Sequence, residues 1–216
     1  MLVPLVLLLG LVAQIVAWRR ITRHGRDVWR TLPQLLGVMG LVALVLAPTL
    51  DAATPGGSDV PGPVGALAIG AAVGIVLYAG TLVFVAIAMH VPAFARQTAA
   101  AYERAESADP RRELLLSLLL AVPGEELFWR GLAYRWGATT LTSTAAAALV
   151  VWLVYLIANL PSRSLPIIAG ALVGGAVWGA LAWWSGGVLA PLASHILWTG
   201  LMLARPPGAS RTKGAT

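Results

Sequence analysis

Uninterrupted apolar runs alternate along this chain with short polar or arginine-rich breaks. The runs fall at residues 2–17, 32–50, 64–90, 113–136, 142–160, 165–184 and 187–204. A helix rising 1.5 Å per residue needs about 20 residues to cross ~30 Å of hydrocarbon. The pattern therefore predicts an all-α, polytopic transmembrane helical bundle of about seven spans. The first run is slightly short and the third slightly long, which implies tilt or an interfacial end. Between runs two and three, residues 52–63 (AATPGGSDVPGP) are rich in Gly and Pro and read as a flexible external loop. Residues 94–112 mix alanine with charge and read as a helix lying on the cytoplasmic surface. Residues 206–216 read as a disordered basic tail, and no repeat of 20–50 residues is visible.

Composition sharpens this picture. The chain is 58% hydrophobic and 11% charged, against about 25% charged for a soluble domain, so it is expected to be an integral membrane protein. A net charge of +6 could suggest nucleic acid, but the basic residues are not spread over a soluble face. Arg19, Arg20, Arg23, Arg26 and Arg30 follow the first run; Arg96, Arg104, Arg111 and Arg112 follow the third; Arg163 follows the fifth; Arg205, Arg211 and Lys213 follow the seventh. Loops on the opposite side carry none. The positive-inside rule then puts the N-terminus outside and the C-terminus in the cytoplasm, with no nucleic-acid partner. The first run has no basic residue ahead of it and a basic cluster behind, the reverse of a secretory signal, and is expected to be retained as a span. With no cysteine, disulfides, thiolate zinc sites and thiol nucleophiles are excluded.

Small residues recur at helical spacing. Gly70/Gly74, Gly170/Gly174 and Gly175/Gly179 are small-xxx-small pairs, and tight internal helix packing is expected of them. Trp18, Trp29, Trp136, Trp183 and Trp184 sit near run ends, where interfacial anchoring is expected.

Few strongly polar side chains remain at membrane depth: Glu125, Glu126, Arg130, Asn159, His195 and Thr199. His90 reads as interfacial, and Gln14 carries no assigned role. Glu126 and Arg130 are four residues apart and can pair on one helix face. Glu125 is turned by about 100° from Glu126 and can point into a cavity. Tyr155/Asn159 and His195/Thr199 repeat the four-residue spacing. Pro123 and Gly124 are expected to kink the helix just before the acidic pair. A buried ion pair that fixes register and a core histidine would explain some of these residues. The second carboxylate favours a functional cavity.

Such a carboxylate can serve as a general base, with a histidine, hydroxyl or amide opposite it to stabilise an oxyanion. Alternatively, Glu and His could hold a divalent metal that activates water. Without a serine–histidine–aspartate set or a cysteine, water-based amide hydrolysis is the natural enzymatic reading. Proton-coupled transport is the rival, since intramembrane carboxylates also relay protons.

At these residues the chain resembles the CPBP family of intramembrane proteases, which includes the CAAX prenyl endopeptidases and the Abi-type bacteriocin-immunity proteins. The family's Glu-Glu-x-x-x-Arg motif stands intact as Glu125-Glu126-Leu-Phe-Trp-Arg130, followed by Gly131. Its Phe-x-x-x-His motif corresponds to Tyr155-Leu-Ile-Ala-Asn159, and its His-x-x-x-Asn/Asp motif to His195-Ile-Leu-Trp-Thr199. The resemblance divides the chain into N-terminal helices with an interfacial segment (1–111), a protease-like core (112–205) and the tail (206–216). It implies a cavity open toward the cytoplasm, a water activated by Glu125, support from Glu126 and Arg130, and an oxyanion stabilised by His195. The substrate implied is a membrane-associated peptide or protein, and the setting is the lipid bilayer of a bacterial cytoplasmic membrane. The metalloprotease label often given to the family implies a divalent ion such as zinc, with Glu125 and His195 as candidate ligands. Asn159 in place of histidine and Thr199 in place of an amide or carboxylate depart from the pattern. Asparagine can hydrogen-bond water but cannot take a proton or replace imidazole as a strong ligand. Two readings follow: a protease running on Glu125, or a catalytically silent relative that binds through the same cavity.

Overall fold

Caps and prolines in the sequence set where the helices begin. Asp27 accepts from the Trp29 backbone N–H at 2.9 Å and opens the second helix. Asp109 does the same for Arg111 and Arg112, with Pro110 in the first turn. Ser143 caps the helix that follows it, and Gly186 ends another in the left-handed conformation.

The computed structural model describes residues 2–50, 62–106 and 109–205. Among these the secondary structure is helical, with no strand. The helices are α1 (Leu2–His24), α2 (Val28–Leu46), α3 (Pro63–Ala88), α4 (Pro92–Glu106), α5 (Pro110–Leu116), α6 (Val122–Glu126), α7 (Tyr134–Thr140), α8 (Thr144–Asn159), α9 (Leu165–Ser185) and α10 (Leu189–Ala204). Most of the expected loop at 52–63 and all of the tail at 206–216 lie outside the described residues.

Five segments are long and apolar enough to cross a membrane: Leu2–His24, Val28–Thr49, Pro63–Ala88, Thr144–Ser162 and Leu165–Ser185. The expected spans at 113–136 and 187–204 do not join that set. The first belongs to a helical path over 110–140 that is broken by two π-helical segments, Ser117–Ala121 and Leu127–Ala133. The second is α10, only 16 residues long. Large apolar side chains cover the outside of the bundle: Val45 is 72% exposed, Val76 69% and Ile87 68%. Apolar cover on this scale suits lipid rather than water.

Close backbone approaches hold the bundle together. A Cβ at Gly70 would meet the Ala190 carbonyl oxygen, and one at Gly74 would lie 2.6 Å from that of Ser194. The expected tight packing of this pair is therefore α3 against α10. A Cβ at Gly124 would collide with the Leu36 carbonyl oxygen, and one at Gly40 with the Gly124 Cα. This crossing seats α6, and the acidic pair with it, directly on α2. The glycines of α9 behave differently: Gly175 makes room for the rings of Tyr155 and Trp152, and Gly174 for that of Trp178. They accommodate aromatic side chains rather than a neighbouring backbone.

A stability contrast follows. Gly124→Ala should lower stability in detergent by about 1–3 kcal/mol, because the α2 backbone must move away. Gly80→Ala, where a Cβ meets nothing within 4 Å, should be neutral or stabilising by up to ~1 kcal/mol. Thermal unfolding of the two variants checks this, and equal losses would contradict the crossing.

Candidate active site

Proline 123 has no backbone N–H and its ring crowds the carbonyl four residues back, so a regular α-helix cannot run through it undisturbed. The π-helical segment Ser117–Ala121 takes up that mismatch just upstream, and a second one, Leu127–Ala133, follows the acidic pair. π-bulges of this kind are frequent at functional sites. The expected disturbance at Pro123–Gly124 is thus a change of helix type around Glu125 and Glu126.

Glu126 is completely buried and Arg130 is 2% exposed. The Arg130 fork donates from Nη1 to Glu126 Oε1 at 3.1 Å and from Nη2 to the Gly175 carbonyl at 3.1 Å. Its guanidinium lies 4.5 Å from the Tyr155 ring centroid, close enough for a cation–π contact. His195 comes in from α10, with Nδ1 2.7 Å from the same Glu126 oxygen. The imidazole stacks on Trp178, with centroids 3.5 Å apart and planes 16° from parallel. Glu126 therefore holds an arginine from its own helix and a histidine from a distant one. With Glu126 ionised, Nδ1 carries the proton and donates it to the carboxylate, and Nε2 is left free to accept or carry another. Among the described residues, Nε2 makes no bond to the protein.

Glu125 is the other kind of carboxylate. It is partly exposed, with His195, Arg130 and the Tyr155 phenol close enough to act on it. One glutamate is locked in an ion pair and its neighbour is left accessible beside an imidazole.

Asn159 does not face this cavity as a spare polar group. Its Oδ1 accepts from Trp18 Nε1 at 3.0 Å and from Gln14 Nε2 at 3.4 Å, and its Nδ2 donates to the Tyr155 carbonyl at 2.9 Å. Gln14 Oε1 in turn accepts from Trp129 Nε1 at 3.2 Å. The amide ties α1 to α8 and to the helix that carries the acidic pair. Two expectations are corrected here. Gln14 is 2% exposed and central to the network, and Trp18, 5% exposed, is an internal hydrogen-bond donor rather than an interfacial anchor. The sequence carried one signal of this: Gln14 and Trp18 sit at the same four-residue spacing as the other polar pairs. Thr199 lies one turn beyond His195, half-buried, and its hydroxyl makes no hydrogen bond among the described residues.

The donor set fits a structural or catalytic zinc poorly. Zinc takes three or four strong ligands. Here Asn159 is consumed by Trp18 and Gln14, Glu126 Oε1 already carries Arg130 and His195, and Nδ1 of the single imidazole is committed. Among the described residues, no group of three or more His, Cys, Asp or Glu side chains is arranged to hold a metal ion. Glu125 and His195 Nε2 alone would make an incomplete set.

No curated protein and no solved structure matches the chain. Residues 109–201 match the family described as Rce1-like, Type II CAAX prenyl endopeptidase. The matched segment runs from the cap of α5 into α10 and contains both glutamates, Arg130, Asn159, His195 and Thr199. The chain's likeness to this family of CAAX prenyl endopeptidases thus covers every residue of the candidate site.

Proposed function

We propose that this protein is an intramembrane endopeptidase of the CAAX-protease-like type, which hydrolyses a peptide bond with water activated by Glu125. The observation that carries this reading is the unequal treatment of the two glutamates. Glu126 is buried in contact with Arg130 and His195, while Glu125 is left accessible next to that imidazole. In this scheme Glu125 removes a proton from water as it attacks the scissile carbonyl. The His195 imidazole, held in one tautomer by Glu126, presents Nε2 toward the developing oxyanion and can hydrogen-bond it when protonated. Arg130 neutralises Glu126 and fixes the helix. The tetrahedral intermediate collapses when the proton held on Glu125 passes to the leaving amine. We place residues 112–205 as the hydrolytic core, with 1–111 completing its walls, in a bacterial cytoplasmic membrane with the N-terminus outside. The substrate class is a membrane-associated peptide or protein.

One observation favours a second reading, a binding or immunity protein without turnover. The position of the second motif's histidine holds Asn159, and its side-chain oxygen is occupied by α1. Purified protein incubated with quenched hydrophobic peptides, with and without prenyl groups, separates the two. Cleavage by the parent that Glu125→Gln removes supports the protease. A silent parent beside an active Asn159→His variant supports the binding protein.

The network around Asn159 makes its own prediction. Gln14→Leu strands the Trp129 N–H and removes one donor from Asn159, so it should cost about 1–3 kcal/mol of stability. Denaturation of the variant reads this directly, and a loss below ~0.5 kcal/mol would show that the network holds nothing together.

A further inference from the structure

At the arginine-rich end of the bundle, the last turn of α1 and the turn after α8 enclose a groove of about 260 Å³. Its lining is Arg19, Thr22, Arg23, Leu160, Pro161 and Arg163. Three arginines thus line one small space. Among the described residues none of the three forms an ion pair.

Arg163 is held there at some cost. It is the one non-glycine among the described residues with a positive φ, 53°, a region that side chains with a Cβ enter infrequently. The turn is fastened on several sides. Arg163 N donates to the Leu160 carbonyl at 3.1 Å, Gln97 of α4 donates to the Arg163 carbonyl at 3.5 Å, and the Leu165 N–H donates back to Gln97 at 2.7 Å. A strained turn clamped by a neighbouring helix places one arginine in the same groove as two others. Strain of this kind is often associated with ligand sites.

We propose that this groove is a binding site for a phosphate-bearing anion, with Arg19, Arg23 and Arg163 as its ligands. Arginine forks match the oxygens of phosphate in geometry as well as charge. The floor favours a phospholipid headgroup over a soluble phosphate. Leu160 is 47% exposed beside Pro161, and the outward Ile157 of α8 is 50% exposed one turn away, so an acyl chain finds apolar surface directly below the anion. The groove also abuts the Asn159 network. Arg19 follows Trp18 and Leu160 follows Asn159, so a bound anion bridges the same two elements, α1 and α8, that the amide ties together.

The test uses the full-length protein in detergent, titrated with phosphatidylglycerol or phosphatidylcholine and followed by native mass spectrometry. Parallel titrations use inorganic phosphate and glycerol 3-phosphate. The groove variant combines Arg19→Gln, Arg23→Gln and Arg163→Asn, asparagine being tolerant of the left-handed turn. The control combines Arg20→Gln, Arg26→Gln and Arg30→Gln, which removes the same charge outside the groove. Each direct charge-assisted hydrogen bond to the phosphate is worth roughly tenfold in affinity, whereas an arginine outside the groove makes none. The groove variant should therefore lose phosphatidylglycerol by at least about tenfold, while the control stays within roughly threefold of the parent. Selective retention of phosphatidylglycerol assigns a lipid. Competition by inorganic phosphate without lipid preference assigns a soluble phosphate in the same site. Equal losses in the two variants, or no preference of the parent for any phosphate anion over phosphatidylcholine, would overturn the proposal. Should the triple groove variant fail to fold, Arg163→Asn alone carries the same comparison.

Discussion

Glu125→Gln should reduce peptide hydrolysis by about 10²–10⁴-fold while leaving the protein folded. Glutamine keeps the size and a carbonyl acceptor but cannot take the proton from water. Because Glu125 is partly exposed and glutamine keeps an acceptor oxygen for the Tyr155 phenol, removing its charge should strand no buried partner. Thermal unfolding should change by less than about 1 kcal/mol, and retention of a peptide substrate should survive. The split is the point: a lost kcat with KM and stability nearly unchanged assigns Glu125 to chemistry. A variant that unfolds, or one that still cleaves at the parent's rate, would remove it from that role.

Arg130→Met should be the most destabilising single change in the site. Glu126 is fully buried and its Oε2 has no hydrogen-bond partner among the described residues, so Arg130 supplies the compensating charge at Oε1. Deleting one member of a buried pair typically costs ~3–5 kcal/mol, because the other charge is left uncompensated. The Gly175 carbonyl loses its donor at the same time. Arg130→Lys should recover only part of this, since an ammonium lacks the fork that reaches both acceptors. Adding Glu126→Gln to Arg130→Met should also recover part of it, since a neutral amide oxygen still accepts from His195 Nδ1. Chemical or thermal denaturation of the three variants checks the order. An Arg130→Met protein as stable as the parent would mean that Glu126 is not ionised in the fold.

Local relationships were legible in the sequence. The four-residue spacing put Arg130 on Glu126, and the glycines at 70 and 74 marked a close helix contact. These depend only on the geometry of one helix or on the absence of a side chain. Partners brought from far along the chain were not legible. His195 meets Glu126 across 69 positions, and Asn159 meets Trp18 across 141. Trp18 at a span end looked like an interfacial anchor because tryptophan suits both a membrane surface and a buried acceptor. Only the fold decides between those uses. The change of helix type around the acidic pair was not legible: the Pro123 region converts a uniform apolar run into alternating α- and π-helix. The poor fit to zinc was visible in part, since one imidazole remained. The engagement of Asn159 by α1 needed the tertiary structure.

The most direct test of the central claim is product analysis after the purified parent is incubated with hydrophobic peptides in water enriched in heavy oxygen. The account predicts two defined fragments, with heavy oxygen in the new carboxyl terminus, and none from Glu125→Gln. Intact peptide retained equally by the parent and by Glu125→Gln would contradict it and leave a binding protein built on a protease fold.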